Sequence, residues 1–237
     1  DMSKTDLDPN GDPFYAVMNG KPDSLKVWVK FGQGTPNAEH PYATVNAVIN
    51  DGTEYHDPED STTTYTNVVA KATNNKIEST NGEWKELTIP FDYDSYKQNG
   101  AEVKSILVTI STNADAGQGS DKDTLLVDDL SLIYNAGIKS INVKGTEAVL
   151  NEGEGIYEAN AAGNITANDI EVVSDGKGAY VSKELETVDG GVKATITVTS
   201  NDLKTTNVYT LNIKGATTGI NNIQAEKNNA AEGIYNI

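Results

Sequence analysis

Apolar and polar residues alternate with a period of two along much of this chain. In Leu25-Lys26-Val27-Trp28-Val29-Lys30-Phe31 the odd positions are apolar and the even ones are Lys, Trp and Lys, the pattern of a strand with one buried side. Residues 84–91 repeat it, with Leu87, Ile89 and Phe91 on the inward face, and residues 103–110 bring Ile106, Val108 and Ile110 together. Further strands are predicted at 42–49, 65–72 and 125–134, with two shorter ones at 14–18 and 53–56. No segment keeps a 3.6-residue period over three turns. Strands punctuated by Asn-Gly, Asp-Gly and Gly-Gly, without helices between them, predict an all-β fold with antiparallel sheets, here a jelly-roll β-sandwich rather than a βαβ arrangement.

After residue 135 the same alternation continues in a different composition. Both Trp, all three Phe, all seven Pro and both His precede that point, which predicts two modules, 1–135 and 136–215. Strands at 138–144, 169–174, 179–182, 192–200 and 208–214 fit a smaller immunoglobulin-like β-sandwich without the Cys and Trp hallmarks of antibody domains. Residues 216–237, rich in Asn and Ala, read as a linker and tail ending in a short strand.

Composition then removes several functions. The chain has 237 residues, 18 basic against 35 acidic, a net charge of −17, and no Arg. Nucleic-acid binding is therefore not expected, because phosphate recognition uses clustered cations and the guanidinium fork in particular. An anionic membrane surface would repel the chain as well. With no Cys there is no disulfide, no thiolate metal site and no thiol nucleophile. No apolar run reaches the roughly 18 residues of a membrane-spanning helix.

One combination of phrases points to a family. The turn Asn81-Gly82-Glu83-Trp84 leads into a strand closing on Ile89-Pro90-Phe91-Asp92-Tyr93, followed by the strand at 106–111 and by Val127-Asp128-Asp129-Leu130-Ser131-Leu132. Together these resemble carbohydrate-binding-module jelly rolls, and residues 21–134 are similar to the carbohydrate-metabolism domain of surface proteins from Gram-negative gut bacteria. The second module resembles bacterial immunoglobulin-like sandwiches, on Thr205-Thr206-Asn207-Val208-Tyr209-Thr210-Leu211. The tail, Thr218-Gly219-Ile220 with Gly233-Ile234-Tyr235-Asn236-Ile237, is similar to the start of a C-terminal sorting-type motif of the same bacteria. What the resemblance implies is an extracytoplasmic, cell-surface or outer-membrane-associated protein that contacts oligosaccharides or polysaccharides. It implies membrane attachment only through an anchor not seen in this sequence, and it brings no catalytic residues.

Candidate binding residues follow from the alternation. Trp28 shares a face with Lys26 and Lys30, and Trp84 with Glu86 and Thr88, each opposite the aliphatic face of its strand. Outward indoles can stack on the apolar face of a pyranose while a carboxylate such as Glu86 accepts from its hydroxyls. The alternative for each ring is packing beneath a loop. Tyr93 and Tyr96, in Phe91-Asp92-Tyr93-Asp94-Ser95-Tyr96, are either sugar contacts or rim residues donating their hydroxyls to backbone.

Two features raise calcium as a structural cofactor. Asp6, Asp8, Asn10 and Asp12 have the alternate-position spacing that opens a calcium loop, although Val17 stands where an EF-hand needs its bidentate Glu. An acidic terminal turn is the competing reading. Unbroken alternation puts Asp128 on the apolar face with Leu130 and Leu132, where a carboxylate must anchor backbone or hold an ion unless a bulge intervenes. His40 and His56 lack metal-ligand spacing and read as loop residues.

The E-x-D-x-x-E strand pattern of jelly-roll glucanases is missing, as are G-x-S-x-G, the P-loop and G-x-G-x-x-G. The leading expectation is a non-catalytic glycan-binding surface protein. Two alternatives stand beside it: a glycoside hydrolase or other carbohydrate-active enzyme, and an adhesin or structural subunit with surface-protein partners.

Overall fold

The computed structural model describes residues 3–4 and 7–219. It divides into two compact units, Asp1–Tyr134 and Asn135–Ile237. In chain order the first holds β1 (Ser3–Lys4), β2 (Tyr15–Val17), β3 (Ser24–Gly32), β4 (Ala43–Asn50), β5 (His56–Asp57), β6 (Val68–Ile77), β7 (Lys85–Pro90), β8 (Ser105–Ser111) and β9 (Thr124–Ile133). A four-stranded sheet of order β2-β8-β4-β6 and a three-stranded sheet of order β7-β3-β9, with β1 paired to β5, make up the unit.

The two larger sheets share one core, so the unit is a β-sandwich. Leu25, Val27, Val29 and Phe31 of β3 are completely or almost completely buried against Ala43, Val45, Ala47 and Ile49 of β4 and Ala70 and Ala72 of β6. The predicted alternation of β3 is realised residue by residue. Strand β4 lies between β8 and β6 and is buried at seven of its eight positions. Its outward Val48 joins Tyr55, Val68 and Leu107 in a second small cluster, on which Tyr65 and Tyr96 pack. The 51–67 connection and the 3-10 turn Asp94–Asn99 thus supply residues that cover one end of the sheet's outer face. That turn stops at Gly100, whose φ of 63° lies in the left-handed region that a residue without Cβ enters without strain.

The second unit contains β10 (Ile138–Val143), β11 (Thr146–Glu147), β12 (Val149–Asn151), β13 (Ile156–Asn164), β14 (Ile170–Ser174), β15 (Tyr180–Val188), β16 (Gly191–Thr199) and β17 (Thr206–Thr217). Its sheets have orders β11-β10-β14 and β12-β13-β17-β16-β15, with β13 and β17 parallel and every other pair antiparallel. Val192, Ala194, Ile196 and Val198 alternate into a core closed by Leu211, Ile213, Ile141, Val143 and Ile170. Gly191 is required by close approach, since a Cβ there would lie 2.1 Å from the Ile213 carbonyl oxygen. Ahead of β14, Asp169 Oδ2 accepts from both the amide and the hydroxyl of Thr166 at 2.8 Å, closing a short 3-10 turn.

Four expectations are corrected here. Strand β13 interrupts the predicted gap between 144 and 169, and β15 extends to Val188 rather than ending at 182. Strand β17 runs to Thr217, with Ala216 buried, so the boundary expected at 215 moves two residues along. Finally, the β3–β9 ladder shifts register between Lys26 and Trp28, and Asp129 takes φ 48° in β9. This bulge turns Asp128 to the outside opposite Trp28, where it is exposed instead of buried beside Leu132. The terminal strand expected near 233–237 lies outside the described residues. No helix among the described residues is long and apolar enough to cross a membrane.

Candidate functional site

Strand pairing builds a polar surface on the outer face of the four-stranded sheet. In the β-ladder Asn46 stands between Thr73 of β6 and Thr109 of β8, and Thr44 stands opposite Ser111. Directly paired residues project to the same side, so these amides and hydroxyls form cross-strand rows. Thr44 Oγ1 donates to Asn75 Oδ1 at 2.6 Å, linking β4 to β6 across the face. The rows floor a groove of about 980 Å³.

Its two walls come from loops. On one side Pro58, Glu59 and the half-buried Tyr96 border it; on the other stands the segment from Asn113 to Gly117. Asn113 is fixed from several directions: Nδ2 donates to the His40 carbonyl at 3.1 Å, Oδ1 accepts from the Asp115 amide at 2.9 Å, and the carbonyl accepts from Ser111 Oγ at 2.8 Å. His40 Nδ1 lies 2.7 Å from Asp115 Oδ2, bracing the same wall.

Lys71 is the cation of the groove. Its Nζ lies 5.4 Å from the ring centroid of Tyr55 and 5.3 Å from that of Tyr96, and it pairs with Glu59 Oε1. The same carboxylate oxygen accepts from the Tyr55 hydroxyl at 3.1 Å. Burial, with the charges of Glu59 and Asp57 behind it, pushes the Tyr55 phenol far above its ordinary pKa, so it remains a neutral donor. Tyr55 is 1% exposed and packs edge-on against Tyr65 with centroids 5.0 Å apart. Tyr96 is the ring that remains accessible. Asp57 Oδ2 and Thr109 Oγ1 are enclosed at the groove margin without a hydrogen-bond partner among the described residues.

The sequence-predicted residues are distributed differently. Trp28 is half-buried on the outer face of the other sheet, between Glu86 and Asp128, and Trp84, 43% exposed, precedes β7 on the side that Glu86 continues. Neither indole lines the groove. Glu86 Oε2 is 3.5 Å from Lys26 Nζ, so its charge is shared with a neighbour. Tyr93 is not a surface residue: it is 9% exposed, packs in the core beside Phe91, and donates its hydroxyl to the Pro22 carbonyl at 2.7 Å. Of the five proposed sugar contacts, Tyr96 alone borders the groove. The groove's remaining residues were missed because Thr and Asn on outward strand positions look like any solvated face; the available signal was that β4, β6 and β8 each carry an amide or hydroxyl there, at Asn46, Thr73 and Thr109.

The calcium candidates among the described residues do not assemble. Asp6 lies outside the described residues. Asp8 Oδ1 accepts from its own loop, from the Asn10 amide at 2.8 Å and the Asp12 amide at 2.9 Å, and the backbone bond to Asp12 leads in lowering its pKa. This is an Asx turn, for which Asp-Pro and Asn-Gly are sufficient cause. Asp128 is on another sheet, where its Oδ1 accepts from the amide of Asp129 at 2.8 Å. His56 Nε2 lies 3.0 Å from Glu54 Oε1, and no group of three or more His, Asp or Glu able to hold a metal occurs among the described residues. A scan of the chain against protein-family models gives no match, and a search of the curated proteins gives none either.

Proposed function

We propose that the protein is a non-catalytic glycan-binding surface protein whose first unit, a jelly-roll-like sandwich, holds an oligosaccharide or polysaccharide in the groove on its four-stranded sheet. The observation that carries this reading is the groove's lining: neutral hydrogen-bonding rows on the floor and an accessible tyrosine ring on the wall. Sugar hydroxyls each donate and accept, which suits Asn and Thr, and the apolar face of a pyranose suits a phenol ring. Binding is favoured over hydrolysis because, of the two carboxylates in the lining, Glu59 already carries an ion pair with Lys71 and a hydrogen bond from Tyr55, and Asp57 is largely buried at the margin with its Oδ2 enclosed. A general acid would instead need a carboxyl group held protonated and free to reach a glycosidic oxygen. The immunoglobulin-like second unit serves as a spacer in an extracytoplasmic setting, in line with the resemblance of the sequence to gut-bacterial surface proteins.

Calorimetric titration with a panel of oligosaccharides tests the reading. Tyr96→Ala lowers affinity by about tenfold or more, as expected on losing an aromatic anchor, whereas Trp84→Ala leaves it unchanged. Loss on Trp84→Ala with no effect of Tyr96→Ala moves the site to the other sheet; no binding across the panel removes the function.

A further inference from the structure

The groove's charges say which glycans it accepts, an inference that rests on the glycan-binding reading above. Among the described residues, three charged side chains line it: Asp57, Glu59 and Lys71. Lys71 is spoken for on three sides, by the Glu59 carboxylate and by the faces of the Tyr55 and Tyr96 rings, and its side chain is only 18% exposed. Its positive charge is therefore compensated before a ligand arrives, and Asp57 leaves the lining with a net negative charge. The rest of the protein deepens that bias, with a net charge of −17 and no Arg to form a bidentate fork with a carboxylate or sulfate. Along the floor, by contrast, the Asn46, Thr73 and Thr109 row offers neutral donors and acceptors and no cation.

We infer that the groove selects neutral polysaccharides and rejects uronate-bearing or sulfated ones, because the Glu59–Lys71 pair withholds the cation that an acidic sugar requires. Selectivity here comes from an element set against the wrong ligand, the largely buried Asp57 carboxylate at the groove margin, in a setting where water screens it less than at an open surface.

A matched pair of polymers isolates charge from shape. A polyuronate and its carboxyl-reduced derivative share linkage and ring geometry but differ in charge, and both are run by affinity electrophoresis and calorimetry against the whole chain, beside a panel of neutral glucans, xylans and mannans. The expected result is binding to at least one neutral polymer and at least about tenfold tighter binding to the reduced polymer than to its parent. Glu59→Gln, which releases Lys71 and removes one negative charge, is expected to narrow the neutral-to-acidic ratio by about fivefold or more. Equal or tighter binding of the parent polyuronate overturns the selectivity while leaving glycan binding intact. An unchanged ratio in folded Glu59→Gln overturns the ion-pair explanation, and no binding to any polymer overturns the glycan reading together with this inference.

Discussion

The two outer faces of the first unit carry the same kinds of side chain to different ends. On the three-stranded sheet, Trp28 and Trp84 stand with Lys26, Glu86 and Asp128, and charges neutralise one another across the strands. On the four-stranded sheet a lining of Asn, Thr and two smaller Tyr rings is bordered by loops and enclosed into a groove of about 980 Å³. The larger rings are therefore not where the cavity is. A ring becomes a recognition element when chain on both sides lets a ligand lose water on more than one face, and the 51–67 connection, the Asp94–Asn99 turn and the Asn113–Gly117 segment provide that for the groove.

The strongest way to break this contrast is to fill one face at a time. Asn46→Trp puts an indole in the middle of the groove floor without touching the buried face of β4, and is expected to reduce glycan affinity by about a hundredfold or more, since hot-spot disruption of this kind removes over 2 kcal/mol. Thr88→Trp, on the outer face of the other sheet, is expected to leave affinity unchanged. Calorimetry on the two variants, with circular dichroism to confirm folding, checks both; an equal loss from both would erase the distinction between faces.

A smaller effect separates the two tyrosines that flank Asp94 and Ser95. Tyr93→Phe keeps the packed ring and deletes the bond to the Pro22 carbonyl, so it is expected to cost about 1 kcal/mol of stability, a drop of a few degrees in Tm, with glycan affinity unaltered. Tyr96→Phe, at the groove wall, is expected to spare stability and weaken binding by the loss of whatever its hydroxyl gives the ligand. Thermal melts and titrations on the pair check the assignment, and reversed results would exchange the roles of the two residues.

How much of this could be seen in the sequence depended on whether a feature was local. The alternation of β3 is written in consecutive residues, and Leu25, Val27, Val29 and Phe31 are buried as it requires. Asp128 went astray because one bulged residue in β9 reverses every later side chain, and Asp-Asp at 128–129 does not announce a left-handed φ. Strand β13 was hidden by its own composition: Ala159, Ala161 and Gly163 have little β-propensity, and the segment is strand because it pairs with β17, about fifty residues further on. The groove was least legible of all. Asn46, Thr73 and Thr109 meet only through long-range pairing, and each by itself is an ordinary polar residue on a strand.

The smallest expected effect compares the units by their acid response. In the second unit, Asp169 is bonded by the amide of Thr166 and then by its hydroxyl, and these bonds hold its carboxyl below the ordinary carboxylate pKa. The folded state thus favours the ionised form. Its contribution to stability is complete above the unfolded pKa of about 3.8 and is lost as pH falls through the lower folded value. Asp169→Asn should therefore lower the midpoint of the second unit slightly at neutral pH, and that difference should shrink as pH falls through the lowered folded value and the wild-type carboxyl takes up its proton. In the first unit the Asp60 and Asp92 carboxyls are lowered in the same way by Thr62 and by Ser95, so its own acid sensitivity should persist unaltered in the variant. Amide-resolved hydrogen exchange across pH separates the two units. A change confined to β14 and its neighbours supports local capping by Asp169, while an equal change in β3 and β4 would show that acid acts on both units through some other group.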